Sequence, residues 1–289
     1  MFAGAARSPI TTAVSSQAVP SKSMLDLEFF ALTDVGRVRD HNEDYHGAWV
    51  PPTENEGRTQ GWLFVVADGV GGEELGEVAS QTAVETLIEG FRTAPRSEAH
   101  TALMPRIVQK SNLKVYETGR SSTPGGSRMA TTIVACALRY DRVVVAHVGD
   151  SRCYLIRHGQ AAQLTRDHTV VAEQVRLGIL SAKEAAEAQT RHLLSRSLGN
   201  DLFVNVEVND HQVQPGDVLL LCSDGLHGAI DGNRIGEIIN WNPSLETAAR
   251  KLITLANERD GGDNVTVQLI RVRDVERMGM YRGRPYKLR

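Results

Sequence analysis

The chain has 289 residues, 41% of them hydrophobic, which is ample for a buried core in one large domain or two small ones. A formal net charge of −3 supplies no basic surface for nucleic acid or an anionic membrane, so neither is expected as a partner. The three cysteines, Cys136, Cys153 and Cys222, lie in apolar strand-like runs without CxxC spacing. That argues against disulfides and a zinc site and for a reducing compartment, taken here as the cytoplasm.

Residues 1 to 24 are rich in Ser, Ala, Thr and Pro, carry only Arg7 and Lys22 as charges, and have no apolar stretch long enough for a signal peptide or a membrane helix. They are expected to form a disordered tail. Glu28 to Thr33 reads as a first strand, followed by a polar loop holding Arg39, Asn42, Glu43 and Asp44. Trp62 to Ala67 is an apolar strand run that ends in Asp68-Gly69. Helical spacing follows twice, with Val84, Leu87, Ile88 and Phe91 on one face and Leu103, Ile107, Val108 and Val115 on another, each helix about four turns long. Past a break at Pro124-Gly125-Gly126, Thr131 to Leu138 and Val143 to Val148 read as a hairpin, and Gly149-Asp150 ends the second strand. Arg152 to Arg157 and Ala161 to Leu164 form another hairpin, turned at His158-Gly159.

Residues 166 to 192 interrupt this rhythm with a short polar helical insertion that reads as a mobile flap. Val218 to Cys222 leads into Ser223-Asp224-Gly225, Ser244 caps a helix with Leu245, Ala249, Leu252 and Ala256 on one face, and Gly262-Asp263 opens the strand Val265 to Ile270. Residues 272 to 289 are expected to be a solvated basic tail. With no internal repeat or long linker, one domain over residues 25 to 271 is predicted. Each helix has one apolar stripe to bury, so the fold class is α+β: a four-layer α-β-β-α sandwich with two central antiparallel sheets.

Four of these runs share one pattern, an apolar strand with an aspartate at its end beside glycine: Asp68, Asp150, Asp224 and Asp263. The first three acids follow their strands and the fourth precedes its strand, as expected if antiparallel strands bring every acid to one edge. Carboxylates gathered this way repel each other, and divalent cations relieve the repulsion. Oxygen-only ligands select hard ions such as Mg²⁺ or Mn²⁺, and a metal-dependent hydrolase follows.

Six motifs occur in order: Asp34-Val-Gly36-Arg-Val-Arg39-Asp-His-Asn42-Glu43-Asp44, Ala67-Asp68-Gly69-Val-Gly71-Gly72, Gly149-Asp150-Ser151-Arg152, Leu164-Thr-Arg-Asp167-His168, Ser223-Asp224-Gly225-Leu226 and Asp263-Asn264-Val-Thr266. Together they resemble the metal-dependent (PPM, type 2C) serine/threonine protein phosphatases in their compact bacterial form, from about residue 28 to residue 271. The resemblance implies hydrolysis of phosphoserine and phosphothreonine by a metal-bridging water, opposing a serine/threonine kinase, in a monomer that acts on phosphorylated proteins. It also implies that Asp44 and Asp68 ligate two core ions, with Asp68 shared, the Gly69 carbonyl contributing an oxygen, and Asp224 and Asp263 holding the first ion. Glu43 would contact the second through water, Asp150 would hold a third, weaker ion, and Arg39 would bind the substrate phosphate.

The chemistry has its own rationale. Paired divalent ions activate water at neutral pH and offset phosphoryl charge, so water is the expected nucleophile, not a cysteine in a Cys-x5-Arg loop. A planar guanidinium pairs with two phosphate oxygens at once. Three positions depart from the family pattern: Val70 and Glu73 stand where histidines are common, and Ala130 replaces a glycine before the Thr-Thr pair. Two other readings stay open. One is a catalytically silent binding domain, against which the intact acids weigh, and the other is a phosphatase of small phosphorylated metabolites.

Overall fold

Residues 62–67 of β4 (Trp62–Asp68) and all of β10 (Val218–Cys222) are buried, although side chains alternate across a strand. Each strand must therefore be covered on both faces. The computed structural model, which describes residues 14–15, 25–70, 75–96, 98–122, 129–188, 190–275, 278–281 and 284–287, shows how. One sheet has the order β1 (Val14–Ser15), β2 (Leu25–Asp34), β11 (Val265–Val275), β10, β7 (Arg152–Arg157), β8 (Gln160–Gln163). The other has the order β3 (Asp44–Trp49), β4, β5 (Ile133–Arg139), β6 (Arg142–Val148), β9 (Glu207–Gln212). All these pairings are antiparallel.

Phe29, Phe64, Val134, Leu219 and Ile270 fill the space between the sheets. On the far side of the second sheet, Leu63 and Val65 pack under α2 (Gly76–Arg92) and α3 (His100–Ser122) through Val84, Leu87 and Ile107. On the far side of the first sheet, Leu220 and Leu269 pack under α7 (Gly232–Trp241) and α8 (Leu245–Arg259) through Ile235, Ile239 and Leu252. The layers are thus α-β-β-α, the predicted sandwich. Ser244 caps α8 by accepting from the Thr247 N–H at 3.4 Å, as expected. The turn between β7 and β8 has positive φ at both His158 (51°) and Gly159 (79°), which matches the right-handed twist of a tight hairpin.

The structure differs from the sequence reading in several elements. The polar loop ends before Asp44, which instead opens β3; His46 and Gly47 make that strand weak by propensity. Gly47 is required by packing, because a Cβ there would stand 2.6 Å from Ile88 Cδ1 of α2. The α3 helix has 23 residues, about six turns rather than four. The short α1 (Glu54–Thr59) and α6 (Asp224–His227), together with α7 and β9, were not among the expected elements, although Ile235, Ile238 and Ile239 share one buried face of α7 at helical spacing. The flap contains α4 (Val170–Arg176) and α5 (Ala182–Glu187), started by Thr169 and by a Ser181–Glu184 capping box. Strand β11 runs to Val275, and Val14–Ser15 pairs with Phe30 and Ala31. A separate hairpin, β12 (Met278–Tyr281) with β13 (Arg284–Lys287), lies within the basic segment. The rest of residues 1–24, the Pro124-Gly125-Gly126 break and Glu73 lie outside the described residues.

Candidate active site

Strands β4 and β6 both run antiparallel to β5, so their C-terminal ends share an edge and bring Asp68 near Asp150. Asp44 at the start of β3 is the direct cross-strand partner of Asp68. In the other sheet, antiparallel β10 and β11 bring Asp224 and Asp263 to the corresponding edge. Arg39, Asp68, Gly69, Asp150, Asp224 and Asp263 line one cleft there. Asp44 lies just beneath it, joined across the sheets by the Ser223 hydroxyl, which donates to its Oδ2 at 2.7 Å. Glu43 stands at the rim, 4.0 Å from Arg39. The structure thus gathers every predicted site residue.

The electrostatics are those of crowded acids. Burial, followed by the charges of Asp44, Asp224, Asp150 and Asp263, pushes Asp68 well above the carboxylate range. Burial raises Asp44 to about 7, aided by Asp224 and Asp263 against the Ser223 hydrogen bond. Asp150 is likewise raised to about 7, by burial and then by Asp224 and Asp167. Asp224 moves the other way: against its burial, a contact from His192 Nδ1 at 3.5 Å holds it below the ordinary value. Asp44 Oδ1 is buried with no hydrogen-bond partner. An unpartnered carboxylate oxygen facing other acids is costly, and an all-oxygen donor set with one oxygen left over fits hard divalent cations.

Residues of the sequence motifs that carry no acid hold the acids in place. Thr132 Oγ1 accepts from the Asp68 N–H at 3.0 Å, while Thr131 Oγ1 and the Thr132 N–H donate to the Asp68 carbonyl, both at 2.8 Å. Asn264 Oδ1 accepts from the Glu43 N–H, and its amide donates to the carbonyls of Val35 and His41, which fastens the 35–43 loop to β11. Arg152 forks onto Asp167 at 2.9 and 2.6 Å. Gly69 sits where a Cβ would meet the Gly76 carbonyl oxygen at 2.4 Å. Ala130, which stands where the family pattern has glycine, meets the Asp68-Gly69 turn through its backbone: its carbonyl accepts from the Val70 N–H at 3.0 Å. Sequence reasoning missed His192; an imidazole in the flap was its only signal.

Arg39 donates to Asp263 Oδ2 at 2.9 Å, with side chains about 40% and 37% exposed, so its guanidinium is held at the mouth of the cleft with faces free. A Cys-x5-Arg spacing does occur, Cys136 to Arg142, but it spans the β5–β6 hairpin: Cys136 is fully buried between the sheets and Arg142 pairs with Asp210. It forms no phosphate loop. A second cluster, His147, His168 and Glu207, has donor atoms within 4.8 Å of one another, apart from the acids.

Residues 37–260 match the family described as protein phosphatase 2C. The serine/threonine phosphatase stp of Listeria innocua is 36% identical over 255 residues, covering 87% of this chain and 96% of that protein. Among solved structures, the Streptococcus agalactiae serine/threonine phosphatase aligns with a TM-score of 0.77 at 33% identity, covering 85% of this chain and 99% of that one. The catalytic domain of the serine/threonine protein phosphatase PstP, solved with two manganese ions, aligns with a TM-score of 0.73 at 32% identity, covering 86% and 99%.

Proposed function

Because the chain belongs to the protein phosphatase 2C family, we propose that it is a metal-dependent protein serine/threonine phosphatase of the bacterial type, hydrolysing phosphoserine and phosphothreonine in phosphorylated proteins. The observation that carries this is the set of five aspartates at one edge of the sandwich, with a buried Asp44 oxygen left unpartnered and Arg39 beside them. Asp44, Asp68, Asp224, Asp263 and the Gly69 carbonyl would hold two Mn²⁺ or Mg²⁺ ions, Glu43 would support them, and Asp150 would hold a third. Asp68 feels the charge of four other aspartates, which suits it to serve both core ions. When bound, such ions supply activation of water and neutralisation of phosphoryl charge.

The remaining work falls to the chain itself. Arg39 orients the phosphate through its free N–H groups, and Asp263 fixes the guanidinium. Val70 lines the cleft without a proton to give, so the leaving alkoxide takes its proton from another source. A cytoplasmic monomer opposing a serine/threonine kinase is the proposed setting. Three free, buried cysteines support the reducing compartment in that setting, and among the described residues no helix is long and apolar enough to cross a membrane.

The deciding experiment offers a phosphothreonine peptide, a phosphotyrosine peptide and small phosphoesters to the purified protein, with Mn²⁺ and with EDTA. Turnover of phosphothreonine that needs Mn²⁺ and vanishes in chelator is expected. Turnover confined to small phosphoesters would make it a metabolite phosphatase, and none at all would make it a binding domain. In the same assay Arg39→Ala should raise KM about tenfold, the weight of a charge-assisted hydrogen bond, with a smaller loss of kcat. An unchanged KM would place the phosphate elsewhere.

A further inference from the structure

Cys136 and Cys153 lie on strands of different sheets, β5 and β7, yet both side chains enter the layer between the sheets. Their sulfurs are in direct contact at 3.4 Å, although the residues are 17 positions apart. Both are wholly buried free thiols. Cys222 cannot join them. It follows Leu221, the cross-strand partner of Cys153, and so faces the opposite side of its sheet, toward α7 and α8.

A second contact across the sheets lies close by, with Thr132 Oγ1 and Ser151 Oγ 2.6 Å apart. Thr132 precedes Cys136 on its strand and Ser151 precedes Cys153, so the two strands are already drawn together on the side of the cysteines nearer the acids. Ala135 and Ala137, which flank Cys136, turn to the other face of β5 and pack in the layer under α2 and α3. Nothing therefore stands between the two sulfurs. A disulfide holds its sulfurs ~2.05 Å apart, so closing this pair takes an approach of about 1.4 Å, on the scale of modest side-chain rotation at both residues. The hydrogen bond from Cys136, followed by burial, pushes the Cys153 thiol well above its ordinary value, which keeps the pair protonated and slow to react in the closed fold.

We propose that Cys136 and Cys153 form a modification site, a dithiol that a hydroperoxide converts into a disulfide stapling the two sheets. Local opening admits the peroxide, which is little larger than water when it is hydrogen peroxide itself. One sulfur attacks a peroxide oxygen, the O–O bond breaks, and the departing oxygen takes the thiol proton and leaves as water, giving a sulfenic acid. The other sulfur attacks that sulfenic sulfur, the S–S bond forms as the S–O bond breaks, and hydroxide leaves with the second thiol proton as water. The thiols lose a pair of electrons and the peroxide gains it. Each cysteine resolves the other, which stops oxidation short of sulfinic acid. The bond closes a 17-residue loop and so removes freedom from the unfolded chain.

The test treats the reduced, folded, full-length protein with hydrogen peroxide in EDTA and then alkylates it in denaturant without reductant. Two of the three thiols should be lost, with Cys222 still alkylated. Trypsin should release residues 129–139 joined to residues 153–157, and dithiothreitol should separate them. The oxidised protein should melt about 5 °C higher than after re-reduction, a comparison in which methionine oxidation cancels. Cys222→Ala should keep the link and the gain, whereas Cys153→Ala should lose both under the same treatment. Peroxide added to guanidinium-unfolded protein should give mixed pairs that include Cys222, since only the fold selects the partners. Three alkylated thiols after treatment of the folded protein, a link through Cys222, or a link without a gain in Tm overturns the assignment. Should Cys153→Ala fail to fold, the natural protein and Cys222→Ala decide. Phosphopeptide turnover plays no part in these readouts, so the phosphatase reading stands or falls separately.

Discussion

Asp68→Ala should lower phosphopeptide turnover by about a thousandfold or more at saturating Mn²⁺ and remove tight metal binding from calorimetry. Asp68 ends β4 with its peptide locked on both sides by Thr131 and Thr132, and it is the acid on which the charges of Asp44, Asp224, Asp150 and Asp263 converge. If Asp68 serves both core ions as proposed, no neighbouring carboxylate could replace it. Asp150→Ala should instead leave two tight ions in place and raise the Mn²⁺ concentration needed for turnover. Loss of the tight ions to the same degree in both variants would refute this division. The fold has an independent readout: in chelator, Asp68→Ala should melt at or above the natural protein, because removing one acid relieves the crowding of the others.

The second large effect is a reversal of pH dependence by metal. Asp44 and Asp150 are pushed up to about 7 by burial first, and Asp68 well beyond the usual range, whereas in the unfolded chain each titrates near ~3.9. The folded state thus binds more protons than the unfolded state, and its stability falls as pH rises through the folded values. Buried histidines work in the opposite direction at lower pH. His100, His168 and His227 are lowered to about 4, so their contribution grows with pH and is complete once the unfolded imidazoles have titrated, near ~6.5. The carboxylates therefore stand apart from the imidazoles from roughly pH 7 upward. There, in EDTA, Tm should fall by about 2 °C as Asp44 and Asp150 finish ionising, and Asp68, shifted in the same direction, adds to the fall. With saturating Mn²⁺ it should hold or rise, because cations take the place of the protons and bind better as the acids ionise. A flat or rising Tm in EDTA would mean that these acids do not share their edge as described.

The acids themselves were legible in the chain because each ends an apolar run next to glycine, and antiparallel pairing leaves few ways to arrange four such ends. Helices α2, α3 and α8 were legible for a similar reason: an apolar stripe at helical spacing is a local property. Strand β3 was not. Its segment Asp44–Trp49 carries a histidine and a glycine, and it is a strand because β4 pairs with it and Ile88 packs against Gly47. Propensity yields to tertiary packing in such a case.

The sequence by itself determined which acidic side chains gather at the cleft, how many strands end in an acid, and that both sheets lie inside the sandwich, since composition and periodicity act over a few residues at a time. Only the tertiary structure decided how those acids are held and what reaches them. The Ser223 hydroxyl on Asp44, the Asn264 amide beneath the 35–43 loop, His192 against Asp224 and the His168 ring on the Gly149 N–H join residues from 19 to 221 positions apart. Hydrogen bonds of that kind depend on a register between elements that no local pattern encodes, because loop lengths and sheet twist set it only when the whole chain has closed on itself.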